Sequence, residues 1–475
     1  MELSLCKKRN IFNWLEENTK KFFFSFCYPV FLAIVVNLFW FFGEGLYAGL
    51  FFCLMGGYIF AVFKNVAPLF VNLIFFVVSF NDLAFLSVPS TYFVLIPLFI
   101  GIAIHFIRFP VNFKKRGKLF FPVLFVYLSL LLGGTFIYTG SSARFFAWFS
   151  YAFGLGAFWF VFYAMIYPML EIEPDFKLDR YIAFSIIALS FAACTQLGNA
   201  FILSIISGTK MVGVYGWGLS IQVATLILLA LPSSFYLMVK TQKVITYCII
   251  SSLLFLLCLI TRSDGVMALT LCFFPLLIII TYNKIIVKKR TAYKLCWIIL
   301  ALIVVFILII CRDWVTKVVD KLLSSFSSDT GRTELYLEAI KNFLKNPIFG
   351  YGYAYSDYST TPIAWNLHST IFHSLGTTGL FGFVAIMVYV VARLKLLMSK
   401  GTTFNLYFLI AFLAFQCYAF VDTCEYNPVP LSAALLVMLL VVEKYNETEN
   451  LLEKGDPLPL LYKRESLYVS KIKFN

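Results

Sequence analysis

The chain has 475 residues, of which 61% are hydrophobic and only 13% are charged, and its formal net charge is +14. Soluble globular proteins contain roughly 45–50% apolar and about 25% charged residues, so the composition excludes a soluble enzyme or binding module. Apolar runs near or above the roughly 18 residues that span a bilayer recur from Phe22 almost to the C-terminus. The composition therefore predicts an all-α, polytopic integral membrane protein.

The chain begins with a short basic segment, residues 1–21, followed by a predicted transmembrane bundle over 22–311. The first apolar run, FFFSFCYPVFLAIVVNLFWFFG, is not followed by the small-residue cleavage site of a signal peptide, so we expect a permanent span. Further transmembrane helices are predicted over 368–443. Two spans, the second and the thirteenth, are short, so we expect about 12–14 spans in total. The predicted spans begin near residues 22, 46, 66, 92, 119, 145, 181, 219, 243, 265, 294, 371, 404 and 429.

Lysine and arginine crowd alternate connections between the predicted spans. By the positive-inside rule these connections lie in the cytoplasm, together with both termini and the polar tail 444–475. The net charge therefore reports membrane orientation, and no nucleic-acid partner is expected. The basic residues assigned to the cytoplasm are Lys7, Lys8, Arg9, Lys20, Lys21, Lys64, Arg108, Lys114, Lys115, Arg116, Lys118, Lys177, Arg180, Lys240, Lys243, Lys284, Lys288, Lys289, Arg290, Lys294, Arg393, Lys395, Lys400 and the six of the tail.

One long external loop is predicted over 312–367. Its first part, DWVTKVVDKLLSSF, places its apolar residues on one helical face, which is typical of a helix lying in the membrane interface. A second amphipathic helix is predicted over TELYLEAIKNFLKN, ended by Pro347 and followed by a turn at Gly350 and Gly352. The remainder, YGYAYSDYSTTPIAWN, is rich in Tyr, Ser and Thr, which suits sugar recognition and ordinary loop structure alike.

Two of the three histidines, His368 and His373, lie where this loop meets the next apolar run. Five residues correspond to about 500° around a helix, so the two rings are poorly placed to share a ligand or a metal. No carboxylate lies close to them in sequence and no external loop contains DxD, so we expect no metal and no other cofactor. A neutral imidazole at the interface can accept a proton near physiological pH. The alternative for His368 is a boundary histidine without a chemical role.

Two arginines are predicted to lie at the same membrane face. Arg262, in LITRSDGVMALTL, interrupts two apolar segments at an external hairpin, and an arginine at membrane depth usually faces a cavity or an anion. Arg332 opens the second loop helix, where backbone N–H groups also favour anions. Guanidinium groups bind phosphate oxygens in pairs, so two of them without a metal suit a lipid-linked diphosphate. The alternative for each arginine is a snorkelling interface residue.

The eleven cysteines are scattered and form no CxxC pair. Buried thiols behave as small apolar groups, so neither a disulfide framework nor a metal site is expected. Cys311 and Cys424, near predicted external boundaries, are the one pair that could meet.

The segments GRTELYLEAIKNFLKNPIFGYGY and HSTIFHSLGTTGLFGF resemble the shared signature of the O-antigen ligase and O-antigen polymerase superfamily. In that signature Gly-Arg opens a loop helix, Pro-x-x-Gly-x-Gly closes it, and His-Asn begins the next span before Gly-x-x-Gly. TRSDGVMALTL is similar to the family's Ser/Thr-Arg hairpin, and the similar region covers roughly residues 250–395. Ser369 stands where the family has Asn, so a role of that amide in orienting the histidine ring does not carry over.

The resemblance implies that His368 is catalytic and that Arg262 and Arg332 bind undecaprenyl diphosphate. His373 has no counterpart in the signature, so we expect it to pack inside its helix. The implied activity is a metal-independent, inverting glycosyltransferase on the outer face of the bacterial cytoplasmic membrane. The implied partners are an undecaprenyl-diphosphate-linked oligosaccharide, an acceptor glycan and the lipid bilayer, and the family also allows a chain-length regulator.

Within the family, about 14 spans and a modest loop favour an O-antigen or capsular polysaccharide polymerase, which joins lipid-linked repeats. A ligase, which transfers the glycan to lipid A-core or another acceptor, is the alternative. A transporter or flippase for the same lipid-linked sugars is the alternative from a different class. A transporter would need its charged groups near mid-membrane, whereas the charged groups here are predicted at the outer surface.

Overall fold

The computed structural model describes residues 11–42, 45–79, 93–134, 148–173, 176–207, 220–261, 263–310, 332–353, 367–426 and 429–453. These residues form sixteen α-helices and one π-helical turn, Ser150–Ala157, and they contain no strand. By length and apolar composition, six helices among the described residues can cross a membrane, or seven if a pair bent by 80° at 11–42 is one span. The all-α, polytopic membrane fold is therefore confirmed.

Each of the apolar segments predicted from hydropathy coincides with a helical segment, and the second loop helix is present as well. The helices are α1 (Ile11–Phe23), α2 (Cys27–Phe42), α3 (Gly45–Val62), α4 (Ala67–Ser79), α5 (Ile96–Arg108), α6 (Phe120–Leu132), α7 (Phe158–Met169), α8 (Leu178–Ser207), α9 (Ser220–Thr241), α10 (Val244–Ile260), α11 (Asp264–Lys284), α12 (Val287–Ile310), α13 (Arg332–Lys345), α14 (Thr370–Met398), α15 (Thr403–Ala419) and α16 (Val429–Glu453).

Fewer described helices than the predicted 12–14 meet the length requirement for a span. Four apolar helices have only 10–17 residues, whereas a perpendicular crossing needs about 20 residues. Short helices cross a bilayer only if the membrane thins or the flanking residues extend the span. The four are Phe93–Arg108, Phe120–Leu132, Val244–Cys258 and Thr403–Ala419.

Helix α9 is the most buried of the six candidate spans in the described part of the chain. The apolar window of α9, Val223–Thr241, is 89% buried, whereas the windows of α11 and α14 are only 33% buried. A helix that is hydrophobic all round belongs in the interior. Small polar side chains there are paired across helices, as in the contact of the Ser234 and Ser251 hydroxyls at 2.7 Å.

Helix α14 is broken near its N-terminal end. Gly379 has φ 67° and ψ −161°, so its backbone leaves the helical conformation. The break leaves backbone N–H and C=O groups on both sides of Gly379 without partners inside the helix. The turn 347–352 after α13 forms hydrogen bonds with these groups. The pairing consists of four backbone hydrogen bonds: Leu380 N to Pro347 O at 2.8 Å, Phe381 N to Ile348 O at 3.0 Å, Tyr351 N to Gly376 O at 2.8 Å and Gly352 N to Thr377 O at 2.9 Å.

Two glycines make this pairing possible. Gly350 has φ +71°, and a Cβ added to it would lie 2.4 Å from the Thr377 carbonyl carbon. A Cβ added to Gly379 would lie 2.5 Å from both Gly350 N and Ile348 O. Because these neighbours are backbone atoms that cannot rotate away, both positions require glycine. The Pro-x-x-Gly-x-Gly and Gly-x-x-Gly motifs are thus the two halves of one backbone junction.

Arg393 does not lie in a cytoplasmic connection, so its inclusion in the basic set above was wrong. It lies inside α14 with 1% exposure, and its guanidinium makes two hydrogen bonds to the Glu425 carboxylate, one of them 3.0 Å long. The guanidinium also lies 4.0 Å from the centre of the Tyr389 ring. The proximity of Arg393 to Lys395 and Lys400 in sequence suggested a loop, but α14 continues to Met398 and the ion pair neutralises the buried charge.

The turn between α15 and α16 contacts α14 on both sides of its break. Thr370 N donates to the carbonyl of Asp422 at 3.1 Å, and Arg393 binds Glu425, three residues further along the turn. A straight helix from Thr370 to Arg393 would be about 34 Å long, whereas three extended residues span at most about 10 Å and the Arg393 and Glu425 side chains together add roughly as much again. The break at Gly379 is therefore what allows one short turn to reach both positions.

We expect Gly379→Ala to lower the free energy of unfolding by at least about 2 kcal/mol, because alanine disfavours this positive φ and displaces paired peptide groups. The matched control is Gly401→Ala, since a Cβ at Gly401 meets nothing within 4 Å. Thermal unfolding of the detergent-purified protein, followed by size exclusion, measures the difference. A Gly379→Ala protein as stable as the Gly401→Ala protein would contradict the proposed junction.

Candidate active site

His368 stands directly before α14 in an unusual backbone conformation. Its φ is +48°, in the left-handed region, and Ser369 continues in extended conformation with φ −165°. Histidine enters this region more readily than most residues, but the conformation still costs about 1 kcal/mol or more and requires support from its surroundings. The ring is accessible, since the side chain is 44% exposed.

Helix α13 supplies part of that support. The Tyr336 hydroxyl donates a hydrogen bond of 3.1 Å to the backbone carbonyl of His368. The Tyr336 ring stacks on Phe372 of α14 with ring centres 4.3 Å apart and planes inclined by 14°. The missing side chain of Gly376 lets the two helices approach closely, since a Cβ at this position would lie only 3.2 Å from Ala339 Cα. The loop helix therefore fixes the backbone that presents the imidazole.

A carboxylate faces the imidazole from the turn after α15. Asp422 Oδ1 lies 3.6 Å from His368 Nδ1, within ion-pair distance, and the Asp422 side chain is 13% exposed. The carboxylate is itself held, because Thr423 N donates to Oδ1 at 2.8 Å and the Tyr418 hydroxyl to Oδ2 at 3.2 Å. Its backbone carbonyl also accepts from Thr370 N and Oγ1. Such a carboxylate can orient the ring and stabilise its protonated form.

Asp422 was not predicted from the sequence, because only carboxylates close to His368 in the chain were considered as its partners. The residue lies between two apolar helices, in the polar stretch DTCEYN. The feature of the sequence that could have pointed to this site was the pair of acids Asp422 and Glu425 at the end of an apolar run, since charged groups at membrane boundaries are commonly functional. The sequence alone does not show that this stretch lies next to His368 in the folded protein.

Arg332 is the first residue of α13 and is exposed. It precedes Tyr336 by one helical turn, so both lie on the same side of α13. Burial raises the pKa of Tyr336, the charge of Arg332 lowers it, and the charge of Asp422 raises it. Arg332 and Asp422 thus both act on the Tyr336 hydroxyl, which donates to the His368 carbonyl.

Arg262 lies outside the described residues, but the residues that follow it pack against the site. Ser263 is 3% exposed. A Cβ on Gly265 would lie 3.1 Å from Cε2 of Tyr418, the residue whose hydroxyl binds Asp422. The start of α11 is therefore part of the wall that supports the Asp422 carboxylate.

His373 lies away from this site, in the interior of the bundle. Its side chain is 1% exposed, and its ring centre is 4.8 Å from Tyr426 and 5.9 Å from Tyr151. The structure thus separates the two histidines as their spacing predicts. The surroundings of His373 agree with the expected packing role.

The remaining predicted features bear less directly on the site. Cys311 and the interface helix predicted in DWVTKVVDKLLSSF lie outside the described residues, and Cys424 is a buried free thiol. Among the described residues, no group of three His, Cys, Asp or Glu side chains is placed to hold a metal ion. The described groups can transfer a proton at His368 and attract an anion at Arg332.

A family model described as O-antigen ligase matches residues 249–387, which confirms the resemblance to the O-antigen ligase and polymerase superfamily. The matched region contains Arg262, Arg332 and His368, and it ends before Asp422. No match is found among curated proteins. The chain is thus a multi-pass membrane protein in which residues 249–387 are similar to the O-antigen ligase family.

We expect Asp422→Asn to lower the rate of the reaction by about 10²-fold or more, because the neutral amide cannot stabilise a protonated His368. The amide retains the size of the carboxylate, so the protein should accumulate in the membrane normally. Product formation in membranes of equal protein content measures the effect. Glu338→Gln, a similar change on α13, is the control and should keep its activity. Full activity in Asp422→Asn would exclude a chemical role for the pair.

Proposed function

We propose that the protein is a membrane glycosyltransferase that polymerises oligosaccharide repeats carried on undecaprenyl diphosphate, as in O-antigen or capsular polysaccharide synthesis. The observation that carries the proposal is the series of neighbours Arg332, Tyr336, His368 and Asp422. Three of these residues lie in the region that matches the O-antigen ligase family. A group that accepts a proton beside a group that binds an anion is what sugar transfer from a diphosphate requires.

In the proposed reaction, a hydroxyl of the acceptor glycan attacks the anomeric carbon of the donor sugar. The new carbon–oxygen bond forms as the bond from that carbon to the diphosphate oxygen breaks, and the hydroxyl proton passes to His368. Asp422 stabilises the imidazolium ion that results. Arg332 and Arg262 bind the departing undecaprenyl diphosphate, whose negative charge grows in the transition state. A single displacement inverts the anomeric configuration, and no metal or other cofactor takes part.

We place this site on the outer face of the cytoplasmic membrane. The placement comes from the positive-inside rule, with residues 1–21 and 444–475 in the cytoplasm and 312–367 as the external loop. Removing Arg393 from the basic set does not alter the result, because Lys395 and Lys400 remain at the C-terminal end of α14. A lipid-linked repeat that has been translocated presents its diphosphate at the same face.

Two other functions remain as named alternatives. The matching family is described as O-antigen ligase, so transfer to lipid A-core or another acceptor is the nearer one. The roughly 14 spans expected from hydropathy favour the polymerase. A transporter is the more distant alternative, and the charged pair Arg393–Glu425 inside the bundle is the feature in its favour. Arg393 and Glu425 neutralise each other, whereas His368 and Arg332 are accessible.

The charge and the geometry of Arg332 can be tested separately. Arginine binds a diphosphate by paired hydrogen bonds, whereas lysine offers only a point charge. Arg332→Ala should therefore lower turnover at least about tenfold, and Arg332→Lys should also lose much of the activity. Lys341→Ala, an exposed cation on the same helix, is the control. The assay uses purified protein, a lipid-linked repeat and EDTA.

The same assay separates the candidate functions. Long products formed only when a second lipid-linked repeat is present support the polymerase, and transfer only to added lipid A-core supports the ligase. Movement of lipid-linked sugar across the bilayer without a new glycosidic bond would establish the transporter. A requirement for magnesium or manganese, or full activity in Arg332→Ala, would contradict the proposed mechanism.

A further inference from the structure

Helix α13 carries an apolar stripe that is exposed within the part of the chain that the structure describes. Its buried side, with Ala339 and Asn342, packs on α14. A second row of apolar side chains lies beside that buried side and is 43% to 68% exposed. The row consists of Leu337, Ile340, Leu344 and, in the turn after the helix, Ile348.

The charged residues of α13 other than Arg332 occupy a different side of the helix. Successive residues of a helix are rotated by about 100°. The apolar row therefore lies immediately beside the side of α13 that packs on α14. The charged residues lie further around the helix, on the side that points away from α14. They are Glu334, Glu338, Lys341 and Lys345. The helix therefore has three sides, one against the protein, one apolar and one charged, which is the division expected at a boundary between hydrocarbon and water.

The apolar row continues into the lipid-facing surface of α14. Phe381 N donates to the carbonyl of Ile348 at 3.0 Å, which places the end of the row beside the start of a second exposed row. That second row follows one face of a membrane-spanning helix and is 41% to 52% exposed. It consists of Leu380, Val384, Val388 and Val391. Exposed apolar side chains on a spanning helix contact lipid.

We propose that the apolar flank of α13, defined by Leu337, Ile340, Leu344 and Ile348, is inserted into the bilayer. The partner is the acyl-chain region of the phospholipid leaflet, and the charged flank faces water. The insertion sets the depth of the helix and places its first residue, Arg332, at the level of the lipid headgroups. If the proposed function is correct, that is the depth at which a lipid-linked diphosphate lies. The lipid contact itself does not depend on the activity.

The test is photocrosslinking of the full-length protein in nanodiscs that contain only phosphatidylethanolamine and phosphatidylglycerol. p-Benzoylphenylalanine is introduced at Leu344 and, as a second site, at Ile340, with Lys341 on the charged flank as the control. Mass spectrometry then counts peptides that carry one phospholipid. We expect adducts at Leu344 and Ile340 to exceed those at Lys341 by more than about tenfold, because the benzophenone reacts only with C–H groups that it touches and burial of the apolar flank holds it among the acyl chains at Leu344 and Ile340 but not at Lys341.

Three results would overturn the proposal. Equal adduct yields at Leu344 and Lys341 would show that the flanks do not differ in environment. Crosslinks from Leu344 and Ile340 to protein instead of phospholipid would make another segment or a second copy the occupant. Adducts that appear only after a lipid-linked glycan is added would assign the row to the polyprenyl chain of the substrate. Because no reaction is needed, an inactive protein that gives the expected adducts would contradict only the proposed function.

Discussion

The candidate site depends on the backbone junction between the turn 347–352 and the break in α14. A helix that breaks inside a membrane protein leaves peptide groups without partners, and an unpaired group in an apolar setting costs several kcal/mol. Here the turn after α13 pairs with the freed groups, and glycine at positions 350 and 379 allows the two backbones to touch. The junction therefore stabilises the break and anchors α13 in the same contact.

The junction determines where the chemical groups lie. Since α13 is anchored beside the break, it runs back along the first turns of α14 and brings Tyr336 to the carbonyl of His368. The break also lets the turn 420–426 bind Thr370 through Asp422 and Arg393 through Glu425. Three separate parts of the chain thus fix one imidazole and its carboxylate. A straight α14 would give no position from which Asp422 could reach His368 while Glu425 held Arg393.

Much of this arrangement could be predicted from the sequence, and the rest depends on contacts between distant segments. Hydropathy locates the apolar helices because the spacing and length of apolar runs are local properties. The loop helix at Arg332 and the boundary position of His368 are local in the same way. Asp422 and the Arg393–Glu425 pair depend on how the helices pack. The sequence placed Arg393 in a loop because nothing local distinguishes a buried, paired arginine from an exposed one.

In the proposed mechanism His368 acts in the chemical step, while Arg332 acts in binding the diphosphate. The most direct measurement compares equilibrium binding of a radiolabelled, lipid-linked oligosaccharide diphosphate with its single-turnover rate, for the wild type, His368→Ala and Arg332→Ala in nanodiscs. We predict that His368→Ala binds the donor with the wild-type Kd but forms no product, whereas Arg332→Ala binds it at least about tenfold more weakly. Product formation by His368→Ala at the wild-type rate, or unchanged donor binding by Arg332→Ala, would contradict the account.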